Sequence, residues 1–381
     1  MKSVVQHKVL VIGAGVIGCC LADELARRGA SVTVIDAAEV GSATSAATFA
    51  WVNSNNKSPE EYSNLNLLGL QAHERSAARG GGRWFHQTGN VQIAQSDDEL
   101  GALHHKVDKL ASNGYQVRLL TPAQVRELEP ALEAPRLAGG ALYPKEGWID
   151  TLTMCSSLLN RAMEAGATFA PYETVTDILP NRVTTQTPDG AAHEYEADTI
   201  ILAAGNGNRK ILASAGFDFP TLEPSVSGAE GGAKNAGIGI ISTTGPVASG
   251  MRHIVRATGI AMRPARNGGI TFADHPTGGK WDIDDPRIWT VPALLLERAR
   301  ELYPALKNVA TENVSLGIRV LPEDGLTIAD RVADLPSIYA VATHSGVTLS
   351  AHLAASVAEE VLTGNRHPSL EAFGLSRFVT L

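Results

Sequence analysis

The residues whose spacing first suggests chemistry are Gly13, Gly15 and Gly18, followed by Asp36. The three glycines spell G-x-G-x-x-G between an apolar run at 9–12 and a helix-forming stretch at 16–28. In a strand–turn–helix unit, the first glycine allows a tight turn. The second lets a pyrophosphate approach the backbone, and the third lets the helix pack close on the strand. The helix opens at Val16 and Ile17, so its free N–H groups aim at those phosphates. Gly29 stops the helix, 30–35 form a second strand, and Asp36 ends it. Its carboxylate is placed there to accept hydrogen bonds from a ribose diol. The pattern implies a dinucleotide and leaves FAD and NAD open. The acid at 36 opposes the 2′-phosphate of NADP.

The chain around this unit has 381 residues, suited to one large or two interleaved domains. It carries a net charge of −8, which disfavours nucleic acid as a partner. The three cysteines are Cys19 and Cys20, adjacent in the first helix, and Cys155. They form no disulfide framework and no metal-ligand spacing, and they read as small helix-packing residues in a reducing, cytoplasmic setting. The first strand begins within a few residues of Met1, which leaves no room for a signal peptide. No apolar run reaches the ~18 residues of a membrane span.

The remaining pattern alternates α/β with blocks of strand. A loop of small and polar residues at 39–56 precedes a helix at 59–79. Residues 83–94 read as strand–turn–strand, 97–112 as a surface helix, 116–120 as a strand, and Thr121 as the cap of another helix. Residues 147–150 lead into a helix to about 165, then a strand at 168–172 and an apolar strand at 195–203. From 220 to 316 the pattern is mostly strands and turns. The end returns to strand, turn and a long helix at 347–362. The fold class expected is α/β: a discontinuous Rossmann-like domain with a mainly antiparallel substrate domain over its binding edge. The expected division is 1–82, 141–215 and 315–381 for the dinucleotide-binding domain, with 83–140 and 216–314 for the substrate domain.

With these segments in order, the chain resembles the D-amino-acid oxidase-like FAD-dependent oxidoreductases, the group of glycine oxidase, sarcosine oxidase and D-amino acid dehydrogenase. The small-residue stretch 41–47 resembles the family loop under the flavin. It gives Ala43, Thr44, Ser45 and Ala46, with Thr48 beyond, as cofactor contacts. Gly147, Trp148, Ile149 and Asp150 resemble the G-x-[IV]-D segment before the second helix of the FAD domain. Val175 falls where the family holds adenine with backbone groups, and Ala203, Ala204 and Gly205 resemble its A-x-G turn. The segment 317–325, GIRVLPEDG, resembles G-x-R-P-x-x-x-D-G, and 339–349 resembles the final turn usually written G-H-S-x-x-G. Departures are Val320 for the proline, Thr343 for the glycine before His344, Ala329 for a glycine, and Thr348 for the last glycine. No cysteine stands where monomeric sarcosine oxidases attach flavin, so the resemblance implies noncovalent FAD.

The resemblance implies oxidation of a small amino acid, N-methyl amino acid or related amine, by hydride transfer from Cα to flavin N5. An imine then gives a keto acid or aldehyde. Such a substrate needs a cation for its carboxylate, which arginine supplies best through its planar fork. Arg319 is the first candidate; the alternative is an ion pair with an acid such as Asp324. His344 is a second candidate, for a contact to substrate or flavin, or else a loop-packing residue. The N–H groups of Gly346, Val347 and Thr348 open the last helix toward the flavin. Residues 251–256 read as a strand with Arg252, Ile254 and Arg256 on one face and His253 on the other. Either face could meet the substrate, with Arg252 or His253 as a further contact. Arg263, His73, His86 and His275 read as structural or solvated. Asn53, Asn55 and Asn56 read as a polar surface loop, the other reading being that one lines the pocket. The alternatives are an FAD-dependent 2-hydroxy acid dehydrogenase, with His344 or His253 as base, or one component of an opine-type oxidase. A non-enzymatic binding protein is the third, which Arg319 disfavours. O₂ or an electron carrier would be the acceptor. A homo-oligomer is compatible with the sequence, and no metal is expected.

Overall fold

The computed structural model describes residues 6–55, 57–80, 82–223, 237–273 and 285–378. The apolar run predicted at the start becomes the strand Lys8–Ile12 inside a six-stranded sheet. Across that sheet the order is Ile328–Val332, Leu335–Ala342, Thr199–Leu202, Lys8–Ile12, Ser31–Ile35 and Thr168–Ala170. All neighbours run parallel except the first two, which form an antiparallel pair. Val9 and Val11 enter one apolar core, while Leu10 and Ile12 enter another. A strand buried on both faces needs this unbroken apolar run. The helices Val16–Arg27, Thr151–Glu164 and Gly346–Thr363 close the first core. An antiparallel meander of Thr174–Leu179, Arg182–Gln186 and Ala192–Glu196 contributes to the second.

The glycine turn is fixed by contact distances. A Cβ on Gly18 would lie 1.7 Å from the carbonyl oxygen of Gly13. No side chain can relieve that overlap, because the obstacle is backbone. Gly18→Ala is therefore expected to push the first helix off the strand and to lower both the melting temperature and FAD retention, measured by thermal unfolding and by released flavin.

An eight-stranded sheet forms the other layer, in the order Thr311–Ile318, Ile238–Thr244, Ile270–Ala273, Ile260–Pro264, Ile254–Ala257, Asn90–Ala94, Gly139–Tyr143 and Arg118–Leu120. Only the pairing of Ile254–Ala257 with Asn90–Ala94 is parallel. The expected boundaries at 141 and 315 both fall inside strands of this sheet.

Several local expectations are corrected. The strand expected at 195–203 is two strands, broken where Asp198 exchanges hydrogen bonds with Lys8 and the chain leaves the meander for the parallel sheet. The strand–turn–strand expected at 83–94 is present, with its two strands in different sheets. Gly89, at φ +77°, turns the chain. Phe85–His86 pairs with Gly147–Ile149, and Asn90–Ala94 joins the eight-stranded sheet. The block expected to be strand and turn contains a helix, Val291–Leu302, with Pro292 in its first turn. Its buried positions, Val291, Leu295, Leu296, Ala299 and Leu302, recur at helical spacing. No helix among the described residues is long and apolar enough to cross a membrane.

Candidate active site

A cavity of about 840 Å³ runs past the glycine turn and between the two large sheets. Gly13, Gly15, Val16, Ile17 and Asp36 line it at the first βαβ unit. Ala43, Thr44, Ser45, Thr48, Val175, Ala204 and Gly205 line it further along. Arg319, His344, Gly346, Val347 and Thr348 complete the wall. Gly18 and Ala46 do not line it. Gly18 is committed to helix–strand packing, and the N–H of Ala46 closes a short turn onto Ala43 O at 3.0 Å.

The dinucleotide end has the form that phosphates and a ribose require. Gly15 caps the first helix in an extended conformation and offers no capping side chain of its own. The N–H of Val16 donates to Ser45 Oγ at 3.1 Å, which ties the small-residue loop to the glycine turn. A Cβ on Gly15 would come within 3.0 Å of that Oγ, and one on Gly13 within 2.5 Å of Ala203 O. Asp36 accepts N–H bonds from Ala14 at 2.6 Å and Ala38 at 2.8 Å, so the carboxylate is held at the cavity wall. Burial pushes its pKa up, opposed by these two bonds. No cysteine lines the cavity; all three are buried and free.

At the other end, positive charge gathers. The strand Thr311–Ile318 crosses the small-residue loop so closely that a Cβ on Gly317 would sit 2.1 Å from Ala47 O. Thr44 Oγ1 donates to Ile318 O at 2.6 Å. This crossing delivers Arg319 to the cavity, where its guanidinium lies against Gly239; a Cβ there would be 3.0 Å from Nη2. Burial lowers the Arg319 pKa to about 10, which leaves it cationic at neutral pH. Asp324 pairs with Arg377 at 2.7 Å. Lys57 also lines this end, and its Nζ donates to Ser345 Oγ at 2.9 Å. Burial, then the charge of Arg319, lowers Lys57 to about 8. Burial, then the charges of Lys57 and Arg319, pushes His344 down to about 3, so its imidazole is neutral. The last helix begins at Gly346, with Ser345 giving no side-chain cap.

Two candidates are not brought here. His253 lies outside the cavity wall; its Nδ1 bonds Glu129 Oε1 at 2.7 Å. The same buried carboxylate accepts the N–H groups of Arg252 and His253 and the Tyr303 hydroxyl. Arg252 and His253 are bound to Glu129 rather than to a neighbouring strand, so the strand starts at Ile254 and Arg252 stays exposed. Arg256, further along, does line the cavity.

Asn53 and Asn55, expected at the surface, are buried in the wall, while Asn56 and His275 lie outside the described residues. Their burial is explained by long-range partners: Asn55 binds Glu146, and the N–H of Asn53 meets Thr348 Oγ1. Lys57 and Trp51 also line the cavity, although the sequence gives neither a role, and so does Arg256, the alternative to Arg319 as carboxylate clamp. Lys57 closely follows the flavin loop, and that proximity is the signal that could have found it. His73 is buried and bonds Val347 O at 2.7 Å, and His86 stacks on Trp148 at 3.9 Å. Arg263 is buried and donates to Phe49 O at 2.8 Å.

Cradle, loop and charged end define the class: an FAD-dependent oxidoreductase. The chain belongs to the DAO family, described as FAD dependent oxidoreductase, which it matches over residues 8–360. It is 27% identical to a subunit of the opine oxidase of Agrobacterium tumefaciens (strain Ach5), covering 97% of this chain and 96% of that one. It is 23% identical to glycine oxidase of Geobacillus kaustophilus (strain HTA426), over 98% of both chains. The crystal structure of glycine oxidase from Geobacillus kaustophilus superposes with a TM-score of 0.81 at 21% identity, over 98% of this chain and 100% of that one.

Proposed function

We propose that this enzyme oxidises a small amino acid, N-methyl amino acid or related amine. The observation that carries the reading is that Arg319 and a neutral His344 share one cavity with the dinucleotide cradle. FAD, when bound, supplies the hydride acceptor, at N5. Arg319 clamps the substrate carboxylate and so fixes Cα. His344, neutral over the working range, hydrogen-bonds without adding charge. The unblocked N-terminus at Gly346 and Val347 offers N–H dipoles to negative charge on the cofactor. Lys57 takes the proton that the substrate ammonium must lose. The imine then adds water and releases ammonia or an amine, leaving a keto acid or aldehyde.

The purified protein is expected to be yellow, with FAD freed by acid or heat, and Asp36→Ala to retain less of it. A colourless protein that binds NAD would refute the assignment of FAD to this cavity. The substrate class is tested by bleaching of the flavin under argon with a panel of amino acids, followed by air to separate an O₂ oxidase from a carrier-linked dehydrogenase. Reduction should quicken as pH rises through about 8, where Lys57 becomes neutral. In Lys57→Met the rise should move to the pKa of the substrate amine. An unmoved profile would remove Lys57 from the mechanism.

The near-full-length similarity to an opine oxidase component favours a second reading, in which this chain is one part of a larger opine-type oxidase. Oxidation of a 2-hydroxy acid would need a base at the hydroxyl. Neither His344, which burial, Lys57 and Arg319 hold far from protonation, nor His253, turned toward Glu129, suits that role.

A further inference from the structure

Arg256 stands where the flavin cavity meets a second pocket of about 460 Å³. Its guanidinium carbon lies over the Trp51 ring, 4.7 Å from the centroid. Its Nη1 is enclosed, with no hydrogen-bond partner among the described residues. An enclosed guanidinium N–H without an acceptor is costly and calls for a ligand atom. Lys106 adds a second cation beside it, in the wall of the outer pocket. The Lys106 Nζ donates to Gln92 Oε1 at 3.0 Å and Asn55 Oδ1 at 3.2 Å.

The buried carboxylate of this region, Glu146, is already engaged. It accepts from Trp51 Nε1 at 2.8 Å, Asn55 Nδ2 at 2.5 Å, Asn90 Nδ2 at 2.9 Å and Tyr115 OH at 2.8 Å. Glu99, the other carboxylate in the wall of the outer pocket, accepts from the Gln95 N–H at 2.6 Å and from Thr258 Oγ1 at 2.6 Å. The Arg256 guanidinium lies over the indole, and its Nη1 has no partner among the described residues. A guanidinium suits a planar carboxylate, which it can meet with two parallel bonds. Arg319 and Lys57 line the flavin cavity as well, and neither borders the outer pocket.

We infer that Arg256 is a second carboxylate anchor, and that the substrate is an amine bearing two carboxylates, one held by Arg319 and the other by Arg256. The substrate class rests on the amine-oxidation reading above; the anchor itself does not.

The FAD-loaded protein is titrated with unreactive acids in matched pairs: propionate and succinate, butyrate and glutarate, pentanoate and adipate. The visible flavin spectrum reports binding. One diacid should bind roughly thirtyfold or more tighter than its monoacid partner, the scale expected when a desolvated charge gains its counter-ion. Arg256→Gln should reduce that ratio to about one. Arg256→Lys should restore part of it, and it also serves if the glutamine variant does not fold. Ratios near one for every pair in the wild type, or a ratio unchanged in Arg256→Gln, overturn the anchor. The same diacid frame carrying a secondary amine, iminodiacetate and its longer homologues, is then added under argon beside N-methylglycine. Diacid preference without bleaching by any amine would refute amine oxidation and leave the anchor standing. Bleaching by amines without diacid preference would refute the anchor alone.

Discussion

Arg319→Ala is expected to keep its FAD and its fold and to need a far higher substrate concentration for flavin reduction. Truncating one partner of a desolvated charge pair costs about 2–5 kcal/mol, roughly thirtyfold to a few thousandfold in affinity. Burial that lowers the arginine to about 10 still leaves it charged, so the variant loses a cation and not a neutral group. Arg319→Lys should recover only part of the loss, because an ammonium cannot make the planar fork. The decisive comparison is an amino acid against its decarboxylated analogue in anaerobic reduction kinetics. The amine, which lacks the carboxylate, should lose much less than the amino acid. Equal losses would mean that Arg319 supports the flavin or the fold.

The parts of this site that sequence made legible are those set by backbone. Where an added Cβ would lie 1.7 Å from a backbone carbonyl oxygen, as at Gly18, or 2.1 Å from one, as at Gly317, only glycine fits, so these two residues announce themselves. Arg319 was legible because it follows such a glycine in a fixed segment. What could not be read was which side chains meet across long separations. Residues 251–253 have the alternation of a strand, yet Glu129, far away in sequence, takes the N–H groups of Arg252 and His253 and the His253 ring. Asn55 sits in a polar stretch like any surface loop, yet Glu146 and Lys106 draw it inside. Local composition carries no trace of either carboxylate. The helix Val291–Leu302 was different, since its buried positions and early proline are a local signal that the surrounding strand pattern concealed.

Glu146→Ala should be the most destabilising substitution in the wall of the site. The carboxylate is fully buried and accepts from Trp51, Asn55, Asn90 and Tyr115. Removing it leaves four enclosed donors without their acceptor, and leaves Arg256 and Lys106 without the nearby negative charge that favours their protonated forms. Loss of one partner from a buried ionic network costs about 3–5 kcal/mol, against a total of about 5–15 kcal/mol for a native protein. Urea unfolding of the FAD-loaded variant should show a correspondingly lower midpoint. Glu146→Gln should lose less, since it keeps one acceptor oxygen in place. It should also change the pH dependence. Burial raises the Glu146 pKa above its ordinary 4.5, and the four hydrogen bonds oppose this only in part. The folded state therefore binds this proton more tightly than the unfolded chain. The contribution of this group to stability falls as pH rises from 4.5 to the raised value, and the loss is complete above it. The glutamine variant has no such proton, so that slope should vanish from its stability profile. An unchanged slope would place the titration on another acid, and a midpoint unchanged in Glu146→Ala would show that water replaces the carboxylate at no cost.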